Sequence, residues 1–373
     1  MIQRKWTLSV VLMLLVTALF PLQVQAFEID TGNPDMTLRW DNTLNYSAAF
    51  RLKDPSPVLV ADVNYDDGDR NFDKGLISNR IDLLSELELN LAAGGLRFSG
   101  AAYYDTVYNQ DTDNDSVFNN NLGYPIDKFP EDTRDLHGRK AELLDAFAYA
   151  NLDLGEMYLN LRAGRHTVIY GETLFYGSNG IAEAQGPTDI VKLLTVPSSQ
   201  FKEILRPVEQ VSGLLQVTPD FSIGAYYQFK WHETLIPGVG SYLSSADFAG
   251  EGARSILMGP GLAMMHTSGV EPKDSGQGGL KLRYSLANVG IDLGAYAVRY
   301  HAKAPTGFYF DPVVTMTFRE VYAQDIDAYG LSATGSVGQL NWATEVSYRQ
   351  NAPLVSDPRI DEGQTHDNDN NIL

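Results

Sequence analysis

Residues 36–52 alternate too regularly to form a helix. Met36, Leu38, Trp40, Leu44, Tyr46, Ala48, Phe50 and Leu52 share one parity, and Thr37, Arg39, Asp41, Thr43, Asn45, Ser47 and Arg51 share the other. Side chains alternate across an extended strand, so one face of this segment is apolar and the other polar. An ordinary globular strand has about 5–6 residues, whereas a strand that crosses a bilayer needs about 9–11. The length and pattern predict a strand of the second kind.

The pattern recurs as hairpins. Residues 77–91 turn at 93–95 into 96–104, and 143–152 turn at 153–156 into 157–170. Residues 208–217 turn at 218–220 into 221–231, 280–286 turn at 287–288 into 291–301, and 328–334 turn at 335–338 into 339–349. Short turns between alternating runs are hairpin signals. The connections between hairpins are long: 53–75, 109–138, 171–207, 232–276 and 302–327. Short turns on one side and long loops on the other are the asymmetry of outer-membrane barrels. The expected fold is therefore all-β: a transmembrane antiparallel β-barrel with about eleven strands visible. Its short turns would face the periplasm and its long loops the outside. A soluble β-sandwich or β-helix is the alternative, but sandwich strands do not run this long with aromatic-tipped apolar faces.

The ends divide the chain further. Arg4 and Lys5, the apolar run from Leu8 to Phe20, Pro21 and Val24-Gln25-Ala26 read as a secretory signal over 1–26 with a small-residue cleavage site. Residues 27–349 then form the barrel portion, and 350–373 an acidic tail. The strand count is odd, whereas bacterial single-chain barrels have even numbers. Together with the polar tail, this predicts a barrel incomplete at its C-terminus and cut in an extracellular loop. A rival is a miscounted strand within 308–322.

After Ala26 no apolar run approaches the roughly 18–20 residues of a transmembrane helix. With no cysteine, stability must come from backbone pairing and burial. A closed barrel satisfies strand hydrogen bonds internally. The 20 Tyr, 16 Phe and 33 Gly suit aromatic girdles and packed strands. A formal charge of −19 disfavours nucleic acid as a partner.

Gly164-Arg165-His166-Thr167-Val168-Ile169-Tyr170-Gly171-Glu172 resembles a G-R-x-x-x-x-W-G-E-like segment, with Tyr170 where Trp is usual. The segment it resembles is that of a family of Gram-negative, mostly proteobacterial outer-membrane proteins classed as a domain of unknown function. Further matching stretches are Leu38-Arg39-Trp40-Asp41-Asn42-Thr43, Asp67-Gly68-Asp69-Arg70-Asn71-Phe72, Arg80-Ile81-Asp82-Leu83-Leu84-Ser85-Glu86 and 324–332. The resemblance covers the mature chain. It implies a barrel, an outer-membrane address and members longer than this chain, but no substrate or catalytic residue.

Parity places Arg39, Arg80, Asp82, Glu86, Glu88, Arg97, Asp105, Arg162, Lys281, Arg283 and Glu345 on the lumenal face. Charges of both signs there can line a polar conduit, or pair across the lumen and only stabilise it. Loop 171–207 contains Gly171, Gly177, Gly180 and Gly186-Pro187, then an apolar stretch in which Asp189 can cap a short helix ended by Pro197. Such a loop can fold inward and gate the conduit, with Arg162 and Glu172 at its root and Asp189 and Lys192 within it. Asp62, Asn64 and Asp66, and again Asp111, Asp113 and Asp115, have calcium-ligand spacing. Both lack the turn glycine and terminal Glu in register, so each reads as a solvated acidic loop. His266-Thr267-Ser268 is similar to the His-x-Ser of the outer-membrane phospholipase, but the sequence offers no orienting partner. No phosphate loop, zinc motif or Cys–His pair is present. The expected protein is a porin- or channel-like conduit for a small organic or lipid-like solute, not an enzyme, with no cofactor and no metal. Its partners would be outer-membrane lipid, lipopolysaccharide and the barrel-assembly machinery. The alternative is an outer-membrane enzyme or a structural surface barrel.

Overall fold

The alternation of residues 36–52 is realised as a 16-residue strand, Met36–Arg51, in a computed structural model of the chain. The structure describes residues 27–116, 119–172, 180–197, 199, 201–352 and 371–372. The expected signal segment 1–26, Gly177, and the acidic tail from 353 to 370 lie outside them.

Seventeen strands follow in order: β1 Phe27–Ile29, β2 Met36–Arg51, β3 Gly75–Leu91, β4 Gly94–Asp105, β5 Arg139–Leu154, β6 Met157–His166, β7 Val208–Thr218, β8 Phe221–Gln228, β9 Ser255–Gly259, β10 Leu262–His266, β11 Gln277–Leu286, β12 Ile291–Tyr300, β13 Gly307–Asp311, β14 Thr317–Val321, β15 Ile326–Val337, β16 Leu340–Gln350 and β17 Asn371–Ile372. Thirteen form one sheet in the order β1-β2-β3-β4-β5-β6-β7-β8-β11-β12-β15-β16-β17, and β13-β14-β10-β9 form a second. The eleven long strands of the large sheet are those the alternation predicts, and every pair in it is antiparallel. β1 and β17 are its two edges, and they do not pair with each other among the described residues. Residues 308–322 do not supply a missing strand of this sheet; they form the β13–β14 hairpin of the second one.

The turns are tighter than the sequence suggests. Leu91 pairs with Gly94, so the β3–β4 turn is Ala92-Ala93, and β15 runs through Gly335 to pair Val337 with Leu340. Ile77 departs from the expected parity. Ala49 pairs with Ser78 and Phe50 with Leu76, leaving Ile77 as an extra residue in β3. A bulge of this kind turns the next side chain to the other face. Leu76 is therefore exposed, and Ile77 is buried with Phe72, Tyr108 and Phe129.

Burial in the large sheet is inverted relative to a soluble protein. Leu44 is 56% and Leu331 67% exposed, while Arg80 and Asp82 are 2% and 4% exposed. Trp40, Ile81, Leu87, Phe98, Leu143, Leu161, Tyr227, Leu280, Tyr329 and Val346 are exposed too. Ser99, His166, Gln210, Ser222, Gln277 and Ser347 are buried. The sheet thus has an apolar face turned away from the protein and an ionic face covered by it.

The cover is made by the long connections, which all leave the same end of the sheet because consecutive strands are antiparallel and the other end carries only short turns. Connection 167–207 reaches furthest. Its Ile181 and Ala184 pack with Tyr226, Tyr296, Tyr300 and Ala328, while Leu194 and Thr195 line a cavity with Ala49, Ile77 and Arg80. In a flat sheet β3 and β16 would lie about 43 Å apart, nine spacings of about 4.8 Å. Residues 181–195 include the turn of helix Ile181–Ala184 and the helix Ile190–Thr195, so they span roughly 30 Å at most. The large sheet must therefore curl around this connection, with its ionic face inside.

Candidate functional site

The ionic face consists of short, matched pairs. Cross-strand neighbours share a face, and the register aligns Arg39 with Glu88 and Glu88 with Arg97. Arg97 bridges Glu86 at 2.6 Å, Asp145 at 3.3 Å and Glu88 at 3.5 Å. Arg80 holds Asp82 at 2.7 Å, and its guanidinium stacks 3.6 Å from the centre of the Tyr103 ring. Asp105 accepts bonds from Ser78 Oγ (2.6 Å) and the Asn79 backbone N–H (3.1 Å). Arg39 pairs with Asp41 at 2.7 Å in a more exposed position. Arg206, from the inward connection, reaches Glu142 on β5 at 3.0 Å.

Further round the sheet the cations face aromatic rings. Arg162 lies 5.8 Å from the Phe147 ring, and Lys281 Nζ 5.4 Å from that of Tyr170. Arg283 pairs with Asp292 at 2.7 Å. Lys281, Arg283, Asp292, Gln216 and Ser222 line a recess of about 370 Å³ near the short turns. Above it sit Tyr170 and the fully buried Ile181, brought there by the inward connection.

The Gly164–Glu172 motif fixes that connection. Gly164 has φ +124°, and a Cβ there would lie 2.4 Å from the Ala146 carbonyl oxygen, so no larger residue fits. His166 Nε2 bonds Ser212 Oγ at 2.7 Å, and its carbonyl accepts from Gln210. Tyr170 then packs edge-on against Tyr226, with centroids 5.3 Å apart. Gly171 has φ +90°, and Glu345 Oε2 lies 2.7 Å from where its Cβ would be. The Glu345 carboxylate accepts the backbone N–H of Glu172 at 2.7 Å and of Ile181 at 2.9 Å. Arg349 adds a bond to the Gly180 carbonyl and an ion pair with Glu183. Glu345, expected among the lumenal charges, thus holds the inward connection at two points, Glu172 and Ile181.

Deeper in the connection, Asp189 Oδ1 accepts the Lys192 N–H at 2.7 Å and caps helix Ile190–Thr195, as its position predicts. The buried Lys192 Nζ pairs with Glu203 at 2.7 Å. Both side chains hold the connection together.

The remaining connections and the small sheet build a cap. One recess in it, about 250 Å³, is lined by Glu233, Glu251, Glu271 and Glu320 with His266, Ser268 and Tyr322. Burial pushes Glu233 and Glu251 above the usual carboxylate range. Burial is also the largest single influence on Glu320 and acts in the same direction, but the hydrogen bond and charge of His266 and the backbone N–H donors together outweigh it and hold Glu320 below. His266 lies on a strand, β10, and Glu320 Oε2, 2.6 Å from its Nε2, is the orienting partner the sequence does not reveal. No hydrogen bond joins Ser268 to His266 among the described residues, so the pair is not set up for nucleophilic attack.

The second acidic run stays exposed at Asp111, Asp113 and Asp115, as expected, whereas the first turns inward: Asp62 is exposed, Asn64 half-buried and Asp66 buried. Asn64 bonds Leu257 of the small sheet, and Asp113 accepts the Asp73 N–H. Asp66 and Asp67 are buried against Asp247, nearly 200 residues away in sequence. Burial is the main force pushing Asp67 up to about 6 and Asp247 to about 8, and their carboxylate neighbours add to it. Asp247 follows a Gly/Ser-rich stretch with no local signature, so no sequence signal brings it to this group.

The class these features define is an all-β protein built on one large, curled antiparallel sheet with an apolar outer face and an ionic inner one under a loop cap. The chain belongs to the family described as protein of unknown function DUF1302, whose model matches residues 7–368. No curated protein matches its sequence.

Proposed function

We propose that this protein is an outer-membrane, porin-like conduit for a small polar organic solute. In this reading the apolar face meets lipid and lipopolysaccharide, the short turns lie in the periplasm and the cap lies outside. Residues 1–26 direct export, and the barrel-assembly machinery inserts the strands. The observation that carries the reading is the inverted burial of the large sheet. A row of exposed Leu, Trp, Phe and Tyr costs free energy in water but suits hydrocarbon. The curl around connection 167–207 is what a membrane β-structure needs to bring its strands round toward closure.

The conduit runs from the Lys281–Arg283–Asp292 recess past Tyr170 and Ile181 to the cap. The inward connection is its constriction. Four glutamates at the cap recess favour cationic solutes at the mouth. The test is single-channel recording in planar bilayers, comparing the wild type with Glu345→Ala. Removing the clamp from the Glu172 and Ile181 amides should enlarge or destabilise the conductance steps and leave a cation preference in the reversal potential. Wild type and variant with no conductance while correctly inserted would rule out a conduit. Those results would favour a structural surface barrel, for which the paired ions of β2–β5 also suffice.

A further inference from the structure

Three of the long connections meet at a point the conduit does not use. Asp66 and Asp67 come from the connection after β2, Asn114, Asn120 and Asn121 from that after β4, and Asp247 from that after β8. One carboxylate oxygen from each Asp lies within 4.8 Å of the others. Asp66, Asp67 and Asp247 are 2%, 2% and 1% exposed. Arg70, bonded to Asp66 Oδ2, is the cation beside this group.

Some oxygens here are already occupied. Asp67 Oδ1 accepts from Asn114 Nδ2 at 3.1 Å and its Oδ2 from Asn121 Nδ2 at 3.0 Å. Asp247 Oδ2 accepts the Asp67 N–H at 3.0 Å. Others have no donor. Asp66 Oδ1, Asp247 Oδ1, Asn120 Oδ1 and Asn121 Oδ1 are all buried without a hydrogen-bond partner among the described residues. The Asn121 amide is already turned onto Asp67, and Asn120 is tied by its Nδ2 to the Asp247 carbonyl. Both amides are thus bonded through their nitrogens to residues of the acidic group, and their carbonyl oxygens lie on the same side chains. A buried acceptor without a donor costs about 1–3 kcal/mol, and more when charged. Buried acceptors without a donor, on side chains gathered where three carboxyl groups meet beside one arginine, match what a cation supplies.

We propose that Asp66, Asp67 and Asp247, with the side-chain carbonyls of Asn120 and Asn121, bind one divalent cation of the calcium type and so lock three connections of the cap together. The donor set is all oxygen, with neutral amides beside carboxylates and neither His nor Cys, which selects a hard cation. Calcium accepts 6–8 such ligands in irregular geometry, whereas magnesium demands a tight octahedron and keeps its water. The site stands on the cap alone and does not depend on the conduit reading.

The test titrates calcium, and separately magnesium, into chelator-treated full-length protein in detergent. It reads heat of binding and protease resistance of the cap. Calcium should bind at one site per chain, more tightly than magnesium, and slow cleavage within residues 52–74 and 229–276. Asp247→Asn, which keeps the shape, should weaken calcium binding by about 10-fold or more, and Asn121→Ala should weaken it too. Asp111→Asn, on an exposed stretch of the connection after β4, should bind as wild type. If Asp247→Asn does not fold, Asn121→Ala and the wild-type titration decide. No saturable calcium binding by the wild type, or wild-type affinity in both Asp247→Asn and Asn121→Ala, would overturn the assignment.

Discussion

Carboxylates are buried in two regions of this molecule and are neutralised differently. On the sheet, Asp82 has Arg80, Glu86 and Asp145 have Arg97, and Glu142 has Arg206. In the cap, Asp66, Asp67 and Asp247 face one another with Arg70 beside one of them. The difference follows from how each region is assembled. Along a strand, residues two apart share a face and cross-strand partners fall in register, so local sequence can place an arginine beside each acid. The cap is assembled from loops distant in sequence, and it gathers three carboxyl groups around one arginine among the described residues. On the sheet each of these acids thus touches a guanidinium directly, while among the described residues of the cap group Arg70 touches Asp66 and neither of the other two.

The largest expected effect is on the sheet side. Arg80→Ala leaves Asp82 buried and unpaired, which should cost about 3–5 kcal/mol in chemical unfolding. A much smaller loss would mean that water reaches Asp82 and the ionic face is not covered. Next comes the other face of the same strand. Leu87 lies between Trp40 and Phe98 in the register. If that face meets lipid, Leu87→Arg should cost roughly 2–4 kcal/mol and reduce assembly. Glu88→Gln on the inner face should assemble nearly normally, and equal defects in the two variants would remove the distinction between the faces.

The clamp between sheet and connection comes third. Glu345→Ala leaves the Glu172 and Ile181 amides without their acceptor and should cost about 1–3 kcal/mol. Amide exchange at residues 171–172 and 180–184 should speed up while the strands stay protected. Unchanged exchange there would show that Arg349 and Ile181 hold the connection without Glu345.

The fourth concerns a cap histidine. His137 is fully buried and its Nε2 accepts the Gly238 N–H at 3.0 Å. Burial, and secondarily the charge of Arg80, push it down to about 3. The unfolded chain takes up this proton near pH 6.5 and the folded one only near 3. The contribution of neutral His137 is therefore whole above 6.5 and is lost progressively as pH falls between those values, by about 2 kcal/mol at pH 5. His137→Gln should flatten that part of the stability–pH curve. An unaltered slope would show that carboxylates alone set the acid sensitivity. The smallest effect is expected of Arg39→Ala, whose pair with Asp41 is more exposed and contributes about 0–1 kcal/mol.

The sheet was legible because its information is periodic. Parity alone located all eleven long strands and sorted Arg80, Asp82, Glu86, Glu88 and Arg97 onto one face. It failed at Ile77, where a bulge shifts the period by one and only the partner strand reveals it. Asp189 was readable as a cap because that bond is local. The Glu345 clamp was not, since a carboxylate on β16 meets amides some 170 residues earlier. The small sheet, the Glu320–His266 pair and the Asp66–Asp67–Asp247 group depend on loop tertiary contacts that leave no period in the sequence.

The central claim is that the two faces of the large sheet meet different solvents. The chain has no cysteine, so single cysteines along β3 give unique sites for a nitroxide label in reconstituted vesicles. Collision rates with oxygen and with a water-soluble nickel chelate then report the surroundings of each label. The account predicts oxygen dominance at residues 81, 83 and 87, low chelate access at 82, 86 and 88 relative to the loops, and a break in the alternation at 76–77. Equal chelate access at both parities would contradict it.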